Sequence, residues 1–173
     1  MRFFAEQSYR RQIVPGTFMR AILIAALLML SPVVAAAQSL DDEPEVYVAS
    51  VYDRLSKDQN FDAPEALYTP RLQALWKDMR KDAGDEVGRV DFFFWTNSQD
   101  GSLSGFSFIG QPVEQNANRR IVTARFRNMD RSEVIAFYWE RIDGRWRLDD
   151  VQSLGEDGWT LSVLLKYGWA ARE

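Results

Sequence analysis

Two aspartates in GRWRLDDVQS, residues 144–153, are the first groups whose type and spacing could do chemistry. A strand alternates its faces, so Arg145, Arg147 and Asp149 point one way and Trp146, Leu148 and Asp150 the other. The first set makes a wet face. Trp146 and Leu148 make a dry one, and Asp150 stands next on that side. A carboxylate desolvated against Trp146 and Leu148 would serve as a general acid or base near neutral pH. The plainer alternative puts Asp150 at the strand's end, accepting backbone N–H bonds from the turn toward Ser153 and Leu154. A β-bulge at Asp149-Asp150 would turn both carboxylates outward. Asp100, in Gln99-Asp100-Gly101, is either a carboxylate at a pocket rim or part of an ordinary turn.

The residues that are missing narrow the chemistry further. The chain has no histidine, which removes Ser-His-Asp triads, histidine bases and the usual zinc sites. It has no cysteine, which removes disulfides, thiol catalysis and a lipid-modified cysteine. No D-x-D-x-D-G loop offers calcium ligands. The expectation is no metal, no cofactor and no assigned catalytic residue, with Asp150 and Asp100 the carboxylate candidates. Phe92, Phe93, Phe94 and Trp95 would line an apolar pocket for a lipid or aromatic ligand, or pack in the core. In a strand, Phe92 and Phe94 would face one side, Phe93 and Trp95 the other. Arg125, Arg127, Arg145 and Arg147 form either an anion-binding patch or a solvated sheet face paired with Glu133, Glu140 and Asp149.

These residues need elements to position them. Val48, Val51, Tyr52 and Leu55 recur at helical spacing and predict a helix over 45–58. Asp62 and Pro64 suit the start of a helical turn. Thr69 then reads as an N-cap with Pro70 at the first helical position, and Leu72, Leu75, Trp76 and Met79 share one face. Lys77, Arg80 and Lys81 suit that helix's end, and Gly84 stops it. Beyond it the period changes to two. Residues 105–113 and 121–128 read as strands, with Val122, Ala124 and Phe126 alternating against Thr123, Arg125 and Arg127. Residues 133–142 are apolar on both faces, as in a central strand. Asp143-Gly144 is a tight hairpin turn into RWRLDDVQ. Leu161, Leu164 and Leu165 suit a short closing helix. Helices, then antiparallel strands, then a helix predict an α+β fold with helices packed on a curved sheet and a concave mouth between them.

The N-terminus carries a different signal. Arg20, the apolar run AILIAALLML and the small residues SPVVAAAQS follow the order of a secretory signal peptide. Ala35 and Ala37 place cleavage after Ala37. Ser31 and Pro32 interrupt the run before the ~20 apolar residues that a spanning helix needs. Met19-Arg20 would itself make a compact start, with residues 1–18 an upstream extension. A long n-region and an uncleaved anchor are the alternatives. The expected organisation is a signal peptide over 1–37, an acidic lead over 38–44 and one α+β domain over 45–173. Of 21 basic and 25 acidic residues, four Arg and one Glu precede residue 38. The remaining 17 and 24 give a net charge of −7, a poor match for nonspecific nucleic-acid binding. The expected location is the bacterial periplasm or the medium, with no stable membrane span after cleavage.

The order YTPRLQAL, NSQDG, then GRWRLDDVQSL before a leucine-rich end resembles a family of secreted bacterial domains of unknown function. That family lies within the superfamily resembling nuclear transport factor 2. The resemblance covers most of residues 43–167. Its most specific pieces are Tyr68 to Leu72, Gln99-Asp100 and Trp146 to Asp150. It implies a cone-shaped α+β fold. The superfamily includes isomerases and dehydratases whose pocket holds an Asp or a His, and also pure binding modules; fold does not choose between them. Without histidine, enzymes using an Asp–His pair are poor guides to this chain. The leading expectation is an exported module binding a small apolar or amphipathic ligand, or an envelope protein, on its concave side. Trp146, Asp150, Gln99, Asp100 and Phe94 would meet that ligand. The alternatives are a carboxylate-dependent isomerase, dehydratase or hydrolase, and a homodimeric scaffold pairing sheet faces through Tyr138 and Ile121.

Overall fold

Thr69 and Pro70 set the start of the second helix as their chemistry requires. In a computed structural model, which describes residues 43–99, 101–155 and 158–169, helix α2 runs Pro70–Ala83. The Thr69 hydroxyl accepts from the Leu72 N–H at 3.3 Å, and Gly84 ends the helix at φ +58°. Helix α1, Pro44–Leu55, presents Tyr47, Val48, Val51 and Tyr52 to the core. It stops at Leu55 rather than Asp58, because Asp58 turns left-handed at φ +54°. Pro64, with no side-chain cap, opens a single 3-10 turn, Glu65–Leu67. The expected signal peptide (1–37), most of the acidic lead and Asp100 lie outside the described residues.

Five strands follow in an open antiparallel sheet whose order is that of the chain: β1 Leu103–Val113, β2 Asn116–Asn128, β3 Arg131–Ile142, β4 Arg145–Ser153 and β5 Trp159–Thr160. Thr160 leads directly into α3, Leu161–Tyr167. The fold is therefore α+β. Val122, Ala124 and Phe126 are buried while Arg125 and Arg127 are exposed, the alternation expected of β2. β3 sits mid-sheet and buries residues on both faces, Phe137 and Ala136 among them. α1 lies on the face that carries Phe106, Phe108, Phe126 and Phe137. The Tyr52 ring touches all four, at 5.0–6.4 Å between centroids. The start of α1 is tied to β2 by Arg120, which pairs with Glu43 and with Glu45 at 3.5 Å. Gly110 makes room there, since a Cβ would meet the Glu45 carboxyl at 2.6 Å. No described helix is long and apolar enough to cross a membrane.

The β3–β4 hairpin turns on Asp143 at φ +50° and Gly144 at φ +78°, two left-handed residues in sequence. A Cβ on Gly144 would meet nothing within 4 Å, so replacement costs backbone strain alone. Gly144→Ala is expected to lower stability by about 1–2 kcal/mol in urea unfolding. An unchanged midpoint would show that the turn relaxes at no cost.

Candidate functional site

The aspartate pair at the end of β4 forms a bulge. Tyr138 pairs with Asp150 while Trp139 pairs with Leu148, so Asp149 is the extra residue. This resets the alternation. Trp146, Leu148 and Val151 all face inward, and both carboxylates turn off that face with 17–19% of their side chains exposed. The start of α2 fastens the bulge. The Thr69 N–H donates to the Leu148 carbonyl at 2.9 Å, and its hydroxyl donates to Asp149 Oδ1 at 2.9 Å. Arg71 donates to Asp149 Oδ1 at 3.1 Å and to the Asp149 carbonyl at 2.5 Å, and lies 3.5 Å from Asp150. Burial works against the guanidinium charge. The hydrogen bond and charge of Asp149, backed by Asp150, outweigh it and raise the Arg71 pKa. Asp150 holds the first turn of α3: its carboxylate accepts from the Ser162 N–H at 3.0 Å and the Ser162 hydroxyl at 2.5 Å. It also accepts from the Val151 N–H at 2.9 Å. The backbone partners are thus Val151 and Ser162, not the turn toward Ser153 and Leu154.

The aromatic run 92–95 is not a strand. The Phe93 N–H meets the Ser98 carbonyl at 3.0 Å and the Thr96 N–H meets the Phe93 carbonyl at 3.1 Å, closing a turn. Phe94 and Trp95, adjacent in sequence, are both buried, so faces do not alternate here. Distant side chains hold the turn. The Tyr52 hydroxyl donates to the Trp95 carbonyl at 2.5 Å. Asn97, left-handed at φ +55°, donates to buried Glu133 at 2.9 Å and accepts the Trp159 indole N–H at 2.7 Å. The Asn128 amide donates to the Ser98 hydroxyl at 2.7 Å.

Between this turn, α2 and the 61–68 segment lies a cleft of about 330 Å³. Six aromatic side chains line it: Phe61, Tyr68, Trp76, Phe93, Phe94 and Trp95. Polar groups on the lining are Asp62, Glu65, Gln73 and Arg80. Burial, with smaller contributions from Tyr47 and Asp62 and against the opposing charge of Arg80, raises the Tyr68 hydroxyl above the ordinary phenol range. It is therefore neutral and available as a donor. The Nε1–H groups of Trp76 and Trp95 are buried with no acceptor among the described residues. Phe61 stands edge-on to Trp95 at 5.3 Å and 82°, and Trp76 lies 6.4 Å from Phe94.

The five residues expected to meet a ligand are dispersed. Phe94 lines the aromatic cleft. Gln99 donates to the Asp91 carbonyl at 3.1 Å and lines a wider opening of about 740 Å³, which shares Phe61, Asp62 and Phe93 with that cleft. Asp150 lines a third cleft of about 370 Å³ with Arg119, Ile121 and Tyr138. Trp146, 5% exposed, lines none of these and lies under the Arg141 guanidinium at 5.6 Å. Asp100 is outside the described residues. Of the basic residues on the strands, Arg119 pairs with Glu140 at 3.7 Å and Arg147 donates to the Ala66 carbonyl. Glu133 is buried at the Asn97 turn and pairs with Arg131 at 3.3 Å. Helical spacing puts Trp76 on the apolar face of α2 and Arg80 at its end, but no local signal in the chain says that both line the cleft beside the aromatic turn. No group of acidic side chains among the described residues could hold a metal ion. No protein-family model, curated protein or solved structure matches the chain.

Proposed function

We propose that this chain is an exported binding module of the cone-shaped α+β class resembling nuclear transport factor 2, and that its ligand is a small apolar or amphipathic molecule. The observation that carries the reading is the aromatic cleft. Six aromatic side chains, together with Asp62, Glu65, Gln73 and Arg80, line about 330 Å³ beside the helical layer. Its lining mixes aromatic rings with polar surface in about equal share, and its volume is at the small end of the range for ligand sites. The signal-like N-terminus supports export. The carboxylates at the β4 bulge line a separate cleft and are committed to hydrogen bonds that hold α2 and α3, which favours binding over carboxylate catalysis.

The probe N-phenyl-1-naphthylamine is expected to bind the purified residues 38–173 at one site, with Kd on the order of 10 μM for a ligand of its size. Trp76→Ala and Phe94→Ala are each expected to weaken binding about tenfold or more, with circular dichroism unchanged. Equal binding by wild type and both variants would place the ligand elsewhere and end this reading.

A further inference from the structure

The two edges of the sheet are unlike. β5 has two residues and runs straight into α3, so it offers a neighbouring strand almost nothing to pair with. β1 is 11 residues long and pairs with β2 alone. On its other side, alternate residues turn N–H and C=O groups outward. No described backbone group bonds to them. Edge strands are ordinarily guarded by charges, prolines or bulges. Leu103–Val113 holds no charged side chain, in a protein that is 27% charged. Its bulge, with Gly105 at φ +66°, and Pro112 guard only the two ends. Residues 106–111 between them are open. Phe106 and Phe108 pack on Tyr52 beneath α1, and Ser107, Ile109 and Gln111 alternate with them and are exposed.

We propose that this edge pairs with the same edge of a second copy, β1 antiparallel to β1, joining two five-stranded sheets into one. A two-fold axis normal to the sheet keeps both α1 helices on one side, so residues opposite each other come from the same face. That condition leaves two registers centred in the open stretch, on Phe108 or on Ile109. The axis passes at Ile109. Its side chain is 45% exposed and gains cover from its own copy, whereas Phe108 already packs on Tyr52. The charges agree with this pairing. Glu45, which lies over Gly110 near the axis, is paired with Arg120 of its own chain at 3.5 Å. Glu114, in the turn after β1, falls beside Ser104 of the second copy, whose neighbour on β2 is Arg127. Both charged side chains are exposed, and two strand spacings put their backbones ~10 Å apart, about a Debye length. So short a stretch buries less than about 1,200 Å², and the pairing is weak and concentration-dependent. The proposal stands apart from the aromatic cleft, whose lining contains no β1 residue.

The absence of cysteine makes the register testable. In the chain expressed in full and purified after export, Ile109→Cys should cross-link to its own copy on mild oxidation. Opposed Cα atoms lie ~4.5–5.5 Å apart, within disulfide reach. Ser107→Cys, ~14 Å from its copy in this register, should not cross-link. In sedimentation velocity between about 5 and 500 μM, the wild type should rise from the mass of one chain toward that of two. Ile109→Lys sets like charges opposite each other and should raise the midpoint concentration about tenfold or more. Tyr138→Arg, on the face away from α1, should leave the midpoint unchanged. A single chain at every concentration overturns the proposal. So does cross-linking of Ser107→Cys in place of Ile109→Cys, or a dimer broken by Tyr138→Arg and not by Ile109→Lys, which would mean pairing through sheet faces.

Discussion

Trp95→Ala is expected to lower stability by about 3–5 kcal/mol, the range for removing a large buried ring. Trp95 has no exposed surface. Its ring stacks on Phe137 of β3 at 4.6 Å and 28°, and meets Phe61 and Tyr52 near edge-on at 5.3 and 6.3 Å. Such aromatic pairs add about 0.5–1.5 kcal/mol beyond the area they bury. A domain of this size has about 5–15 kcal/mol in total, so the loss removes about a fifth of it or more. The urea midpoint should fall by roughly 2 M. Because Trp95 backs the cleft residues Phe61 and Phe94, the same substitution should also weaken N-phenyl-1-naphthylamine binding. Trp95→Phe separates the two roles. It keeps a ring against Phe137 and should cost well under half as much stability. A loss below 1 kcal/mol for Trp95→Ala would show that the turn is not anchored by this ring.

The parts of this fold that were legible in the sequence are those set by neighbours in the chain. Thr69-Pro70 marks a helix start because the hydroxyl reaches a backbone N–H three residues on. Asp143-Gly144 marks a hairpin because both residues tolerate left-handed backbone. Val122, Ala124 and Phe126 mark an inward face by period alone. The aromatic run 92–95 shows where this logic fails. Its composition favours a strand. Tyr52, Asn128, Glu133 and Trp159 override that preference, and each is at least 30 residues from its partner in the turn. The cleft was hidden for the same reason. Phe92 to Trp95 already read as pocket wall or core, but the other wall is Trp76 and Arg80 on α2, and only the tertiary fold brings them to that turn. The segments around Tyr68–Leu72 and Trp146–Asp150 stood out as separate motifs. Their joint meaning is contact: the first fastens the bulge in the second.

Asp150→Ala is expected to lower stability by about 2–3 kcal/mol, a large effect for a side chain at the end of a strand. One carboxylate accepts from the Val151 N–H, the Ser162 N–H and the Ser162 hydroxyl, at 2.9, 3.0 and 2.5 Å. Hydrogen bonds to a charged acceptor contribute about 1.5–3 kcal/mol each at most, and these share one group, so their sum is not additive. The 3.5 Å pair with Arg71 adds little, since the Arg71 side chain is 48% exposed. Asp150→Asn keeps an amide oxygen for the two N–H donors and should recover about half of the loss. Ser162→Ala should cost about 1 kcal/mol, and the Asp150/Ser162 double-mutant cycle should show coupling of about 1 kcal/mol or more. These outcomes also bear on chemistry at this position. A carboxylate committed to three donors holds a helix in place, and its loss would reduce ligand binding only as far as it unfolds the chain. Asp150→Ala within 0.5 kcal/mol of wild type would refute that role. A bulge at Asp149 thus answers why an aspartate follows Trp146 and Leu148: one extra residue swings it off the dry face and onto the start of α3.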